Sequence, residues 1–278
     1  MTGEAVDRHR PAQSQGTDAL LGVGGRYVVG FDGVAASRAA LAWAASRALP
    51  RRPLQLLGVV ANRGGAGAER LGDLVSEAAE RLRDAHPGAR VTTAIGRGSV
   101  VDALVLAAGA KDVLVVGSDK TGYASGRLFG LRSIQLTAEA RGTVAVVPAV
   151  DLRLRTGVAV AIADLAGAAA LARLGAREAV GTGRSLALVH AVPPGDAPAR
   201  ERALAVLSAA RRAALEVDAD LDVWAHVAQR HAADAILDLA RDCALLVVGR
   251  SRAPSVLGVG QTLHEVLLNV NAPTVVVR

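Results

Sequence analysis

The chain has 278 residues, 51% apolar and 21% charged, a balance that excludes an intrinsically disordered polymer. Its net charge of +6 comes with only 2% aromatic residues, so the stacking platforms of a single-strand nucleic-acid binder are missing. One cysteine, Cys243, excludes a disulfide framework, and no apolar run approaches the roughly 18 residues of a membrane span.

Residues 1–24 show no periodicity and read as a flexible tail. They lack the apolar stretch of a signal peptide, so the chain is expected to be cytoplasmic. An apolar strand over 26–31 then ends in Asp32, and Ser37–Ala48 follows at helical spacing. A strand at 54–60, a helix at Leu71–Ala85 and a strand at 91–95 come next. Ser99, three residues before Asp102, is a plausible helix cap. The Val-rich run 112–117 ends in Gly117, and the loop to Gly130 leads into a helix expected over Leu131–Arg141. A strand at 143–147 closes the set. Continuous Val-rich strands are those of a parallel sheet covered on both faces, and their alternation with helices predicts a doubly wound α/β fold.

The same series then repeats. Asp32 is matched by Asp164, Gly117 by Gly249, Leu56–Val59 by Leu188–Ala191 and Val101–Leu104 by Ala233–Ile236, each 132 residues on. The closing strands 144–147 and 274–277 stand 130 apart, so the second repeat is two residues shorter after Gly249. The chain therefore reads as a tandem duplication, with domains at 25–150 and 156–278. The fifth strand of each is an edge, and hence a contact surface.

No enzyme motif survives inspection. Gly117–Gly122 lacks the Gly-Lys-Ser/Thr ending of a P-loop, Gly30–Gly33 has the wrong spacing for a dinucleotide fingerprint, and no Gly-x-Ser-x-Gly elbow or metal-type histidine spacing occurs. Asp32 and Asp164 can accept hydrogen bonds from a ribose or a base, or can serve as cap and turn residues. The glycine-containing loops can present a helix N-terminus to an anion, or can be ordinary turns. His190, His226 and Trp224 read as structural, and Cys243 as a small buried apolar residue.

Val28-Val29-Gly30-Phe31-Asp32-Gly33 with Leu41-Ala42-Trp43-Ala44, and Asp112-Val113-Leu114-Val115-Val116-Gly117-Ser118 with its loop, resemble a universal stress protein domain. Leu188-Val189-His190-Ala191-Val192 resembles that family's second strand. The resemblance covers nearly all of 26–278, as two consecutive domains. It implies a five-stranded parallel sheet of order 3-2-1-4-5 in each, and ATP binding in some members through Gly-x2-Gly-x9-Gly-[Ser/Thr] after the fourth strand.

Carried over residue by residue, the resemblance gives Asp32 to base and ribose, Val59 to the adenine, and Gly117 and Gly130 to the phosphates. Lys120 stands where the second glycine belongs. Leu131 stands where the hydroxyl belongs, and Ser133 is the nearest replacement. In the second repeat Asp164, Ala191, Gly249 and Gly260 match, Gln261 replaces the hydroxyl residue, and Arg250 and Arg252 add charge that such a site does not need. Two readings stand. One is a non-enzymatic stress-response regulator that binds an adenine nucleotide, ATP, through these altered loops. The other is a stress-induced scaffold without nucleotide, as a homodimer or an intrachain pseudo-dimer. A slow ATPase lacks a positioned base and a metal-holding carboxylate. A membrane or nucleic-acid partner is not expected.

Overall fold

The computed structural model describes residues 25–61, 65–118, 126–250 and 258–278. The first repeat comprises β1 (Tyr27–Gly30), α1 (Ala35–Ala48), β2 (Leu54–Val60), α2 (Gly65–Ala85), β3 (Val91–Arg97), α3 (Val100–Ala107), β4 (Val113–Ser118), α4 (Gly126–Glu139) and β5 (Thr143–Pro148). The second comprises β6 (Val158–Ala161), α5 (Leu165–Thr182), β7 (Leu186–Val192), α6 (Ala197–Leu215), β8 (Val223–Gln229), α7 (Ala232–Asp242), β9 (Leu245–Gly249), α8 (Gln261–Leu268) and β10 (Thr274–Val277).

Local chemistry sets several of these boundaries. Ser99 caps α3 by accepting from the Asp102 amide at 3.4 Å, as its spacing predicts. Asp164 caps α5 and Asp196 caps α6, and Gly183 ends α5 in the left-handed region at φ 62°. α4 starts at Gly126, so the helix expected to begin at Leu131 already contains Gly130 and Leu131.

Each repeat has the order 3-2-1-4-5, with all strands parallel. The two edges expected as contact surfaces pair with each other. β10 runs antiparallel to β5, with Val275 opposite Ala145, and joins the two windings into one ten-stranded sheet. Every strand of this joint is buried, so its backbone amides and carbonyls need partners, and the neighbouring edge supplies them.

Side chains alternate across the sheet. Tyr27, Val29, Val113 and Val115 face the layer of α1, α2, α5 and α6, whereas Val28, Leu114 and Val116 face α3, α4, α7 and α8. Each fully buried Leu or Val contributes roughly 1.5–3 kcal/mol, which is why the central strands read as unbroken apolar runs. Trp224 departs from its structural reading. It lies 69% exposed on the outer edge strand β8, with its indole N–H donating to Asp222 at 3.1 Å.

Arg250 ties the halves together. Its Nη1 donates to the carbonyls of Thr137, Ala138 and Ala140 at 2.8, 3.0 and 3.2 Å, at the C-terminal end of α4. A cation there satisfies orphan carbonyls and meets the negative end of the helix dipole. Arg250→Ala is expected to cost about 1.5–3 kcal/mol, the range for a hydrogen bond to a charged group. Arg250→Lys, a point charge unable to fan across three carbonyls, should recover only part of it; urea denaturation of both variants measures the difference.

Candidate functional site

In the first repeat the winding direction reverses between β1 and β4, the place where open α/β sheets bind ligands. A cavity of about 140 Å³ lies at the carboxyl ends of these strands. Asp32, Val59, Gly117 and Ser133 all line it, together with Arg132 and Phe31. Its size suits a heterocyclic base and falls short of the roughly 300–1,000 Å³ of whole small-molecule pockets.

Asp32 follows β1 directly. Its Oδ1 accepts from the Val34 amide at 3.2 Å, and its own amide donates to Ser37 Oγ at 3.4 Å. These short-range bonds fold the turn into α1 and leave the carboxylate exposed at the rim. Ser133 is buried on α4, one residue after Arg132 and three before Leu136, all three on the helix face that meets the cavity. Gly117 is required by packing. A Cβ on it would lie 2.7 Å from the Ser37 amide nitrogen and inside contact distance of the Ala36 carbonyl. Gly130 lies within α4, four residues after its start at Gly126. Lys120 lies outside the described residues, as do residues 1–24 and Arg252.

The second repeat uses the matching residues differently. Asp164 Oδ1 accepts from the Gly167 amide at 2.9 Å, the cap role of its two readings. Ala191 is half-buried near the end of β7, and Gly249 ends β9. Gly260 caps α8 through backbone position alone, and Gln261 donates to Glu265 at 3.0 Å along the helix. His190 has a buried Nδ1 without a hydrogen-bond partner. Burial pushes its pKa below the usual value, against the opposing pull of the Ile162 backbone and Asp164. Among the described residues, no group of three or more His, Cys, Asp or Glu could hold a metal ion. Nor is any helix among them long and apolar enough to cross a membrane.

No family model and no curated protein sequence matches the chain. Solved structures do. A universal stress protein from Archaeoglobus fulgidus DSM 4304 is similar over 91% of this chain and 96% of its own, at 17% identity and a TM-score of 0.69. A candidate universal stress protein from Pseudomonas aeruginosa UCBPP-PA14 covers 94% of each chain, at 17% identity and a TM-score of 0.60. The fold is that of the tandem universal stress proteins. The cytoplasmic domain of a prokaryotic cation chloride cotransporter is also similar, over 91% of this chain and 94% of that one, at 10% identity and a TM-score of 0.56. The universal stress protein fold thus serves more than one context, and function has to be read from the site.

Several contributors to that site escaped the sequence reading, Arg132 and Leu104 among them. Arg132 lines the cavity, and Leu104 of α3 forms part of its wall. Arg132 would have been found by starting α4 at Gly126 and following its helical spacing to Leu136. Leu104 stands in the sequence only as part of the repeat register, which assigns it no place at a site.

Proposed function

We propose that the chain is a non-enzymatic stress-response regulator of the universal stress protein family, and that its first repeat takes the base and ribose of an adenine nucleotide such as ATP. The supporting observation is the convergence of Asp32, Val59, Gly117 and Ser133 on one cavity at the strand switch point. Domains at 25–150 and 156–278, a cytoplasmic location and a pseudo-dimer held within the chain belong to the same reading. Asp32 would accept from the ribose hydroxyls, Val59 would offer backbone to the adenine edge, and Arg132 would supply positive charge on the phosphate side.

Calorimetric titration with ATP and adenosine tests this. Asp32→Ala should weaken adenosine binding about ten-fold or more, equal to roughly 1.4 kcal/mol. Asp164→Ala should leave it unchanged, because that carboxylate serves α5. Equal losses would defeat the asymmetry, and no heat with either ligand would defeat the proposal.

The scaffold reading has its own support. Asp164, Gln261 and Arg250 are each engaged within the protein. Lys120→Gly separates the two. Restored glycine should raise ATP affinity if Lys120 obstructs a working loop, and should change nothing in a scaffold.

A further inference from the structure

A second cavity, of about 490 Å³, lies where the two repeats meet. It is formed by Trp43 and Arg47 of α1, by Pro148 and Leu152 of the 148–155 connection, and by Arg184 just beyond α5. Its volume falls within the roughly 300–1,000 Å³ of ligand sites. It shares no lining residue with the cavity at Asp32.

The charges around it do not cancel. Asp151 and Arg153 pair with each other at 2.7 Å on the exposed rim. Behind them Arg47, with 11% of its side chain exposed, faces Glu178 of α5, with 3% exposed, and Arg184 also acts on Glu178. Two guanidinium groups thus share one buried carboxylate, which leaves one positive charge.

Hydrogen bonding is incomplete as well. Arg47 Nε stands 3.6 Å from Glu178 Oε2, beyond good hydrogen-bond length. It and Trp43 Nε1 are buried donors without a partner, and such donors are few in folded proteins. Arg47 lies 4.2 Å from the centre of the Trp43 ring, so a flat cationic surface borders the apolar lining.

We infer that this inter-repeat cavity is a ligand site for a small organic monocarboxylate with a flat apolar body. The guanidinium fork matches a carboxylate. A phosphate dianion would exceed the single spare charge and face Glu178. The indole and the aliphatic lining accept the apolar body.

The test uses the full chain carrying Trp224→Phe, which leaves Trp43 as the single tryptophan. Sodium benzoate should change Trp43 fluorescence saturably, with a dissociation constant on the order of 1 mM or below. Benzamide, its neutral analogue, should bind about ten-fold more weakly or worse, since it lacks the charge. Arg47→Gln should cause a similar loss. Ala42→Phe, at an exposed position lining the cavity, should block binding without entering the core. Asp32→Ala should leave benzoate affinity intact, which separates this site from the proposed nucleotide cleft. Absence of saturation, equal binding of benzamide, or full affinity in a folded Arg47→Gln variant would overturn the inference. If Arg47→Gln fails to fold, unchanged affinity in Ala42→Phe would overturn it.

Discussion

Glu178→Ala is expected to lower stability by about 3–5 kcal/mol, the range for removing one partner of a buried ion pair. The side chain is 3% exposed, and its loss strands the Arg47 guanidinium, 11% exposed, beside Arg184. Arginine cannot shed its proton to escape such a site. The reverse change is milder. Burial already pushes the Glu178 carboxyl above its ordinary pKa, against the pull of Arg47 and Arg184, so in Arg47→Met it can take up a proton. The double variant Arg47→Met with Glu178→Leu should return close to wild type, because apolar replacement removes both desolvation costs. Urea denaturation measures each of these, and adding the single variant Glu178→Leu to wild type, Arg47→Met and the double variant closes the double-mutant cycle.

The same group sets a pH dependence. A raised folded pKa means that the native state binds more protons than the unfolded state in the interval above the ordinary glutamate value, so stability falls as pH rises through it. Relative to Glu178→Gln, wild type should therefore gain stability as pH is lowered from neutral through that interval. Thermal denaturation at several pH values measures it; a difference independent of pH would mean that Glu178 is ionised throughout.

The strands and their order were legible because central parallel strands are buried on both faces and become runs such as Val113–Val116, which need no partner to be recognised. The repeat register then duplicated every assignment. What did not show was set by contacts between the halves. Nothing local to Arg250 says that it reaches the end of α4. Nothing in Arg47 and Glu178 links them, although the 132-residue offset places Arg47 opposite Ala179, next to Glu178, and the β5–β10 joint brings α1 and α5 together. Asp32 and Asp164 illustrate the limit at the site itself. They share a register position and a strand end, yet Asp164 accepts from the third residue of its helix entry and Asp32 folds a tighter turn that leaves it at a cavity. The helices also start at different distances from the two carboxylates, α1 at Ala35, three residues after Asp32, and α5 at Leu165, directly after Asp164, a difference that periodicity does not encode.

Gly117→Ala is expected to cost about 3 kcal/mol, at the upper end of the usual range for overpacking, whereas Gly249→Ala should cost less than about 1 kcal/mol. The two glycines are equivalent in the repeat, and the resemblance to universal stress proteins assigns both to phosphate. Their surroundings differ. A Cβ at 117 meets backbone of Ala36 and Ser37 at the start of α1, and backbone yields only if the helix moves. A Cβ at 249 meets the tip of Leu171 at 3.1 Å, a side chain that can turn aside. Displacing the start of α1 would also loosen the bond from the Asp32 amide to Ser37 Oγ and spread the wall formed by Asp32, Ala36 and Ser37. Gly117→Ala should therefore lose adenosine affinity along with stability, and Gly249→Ala should keep both. Urea midpoints and calorimetric titration of the two variants read these effects separately. Wild-type stability in Gly117→Ala would mean that β4 and α1 tolerate a wider separation.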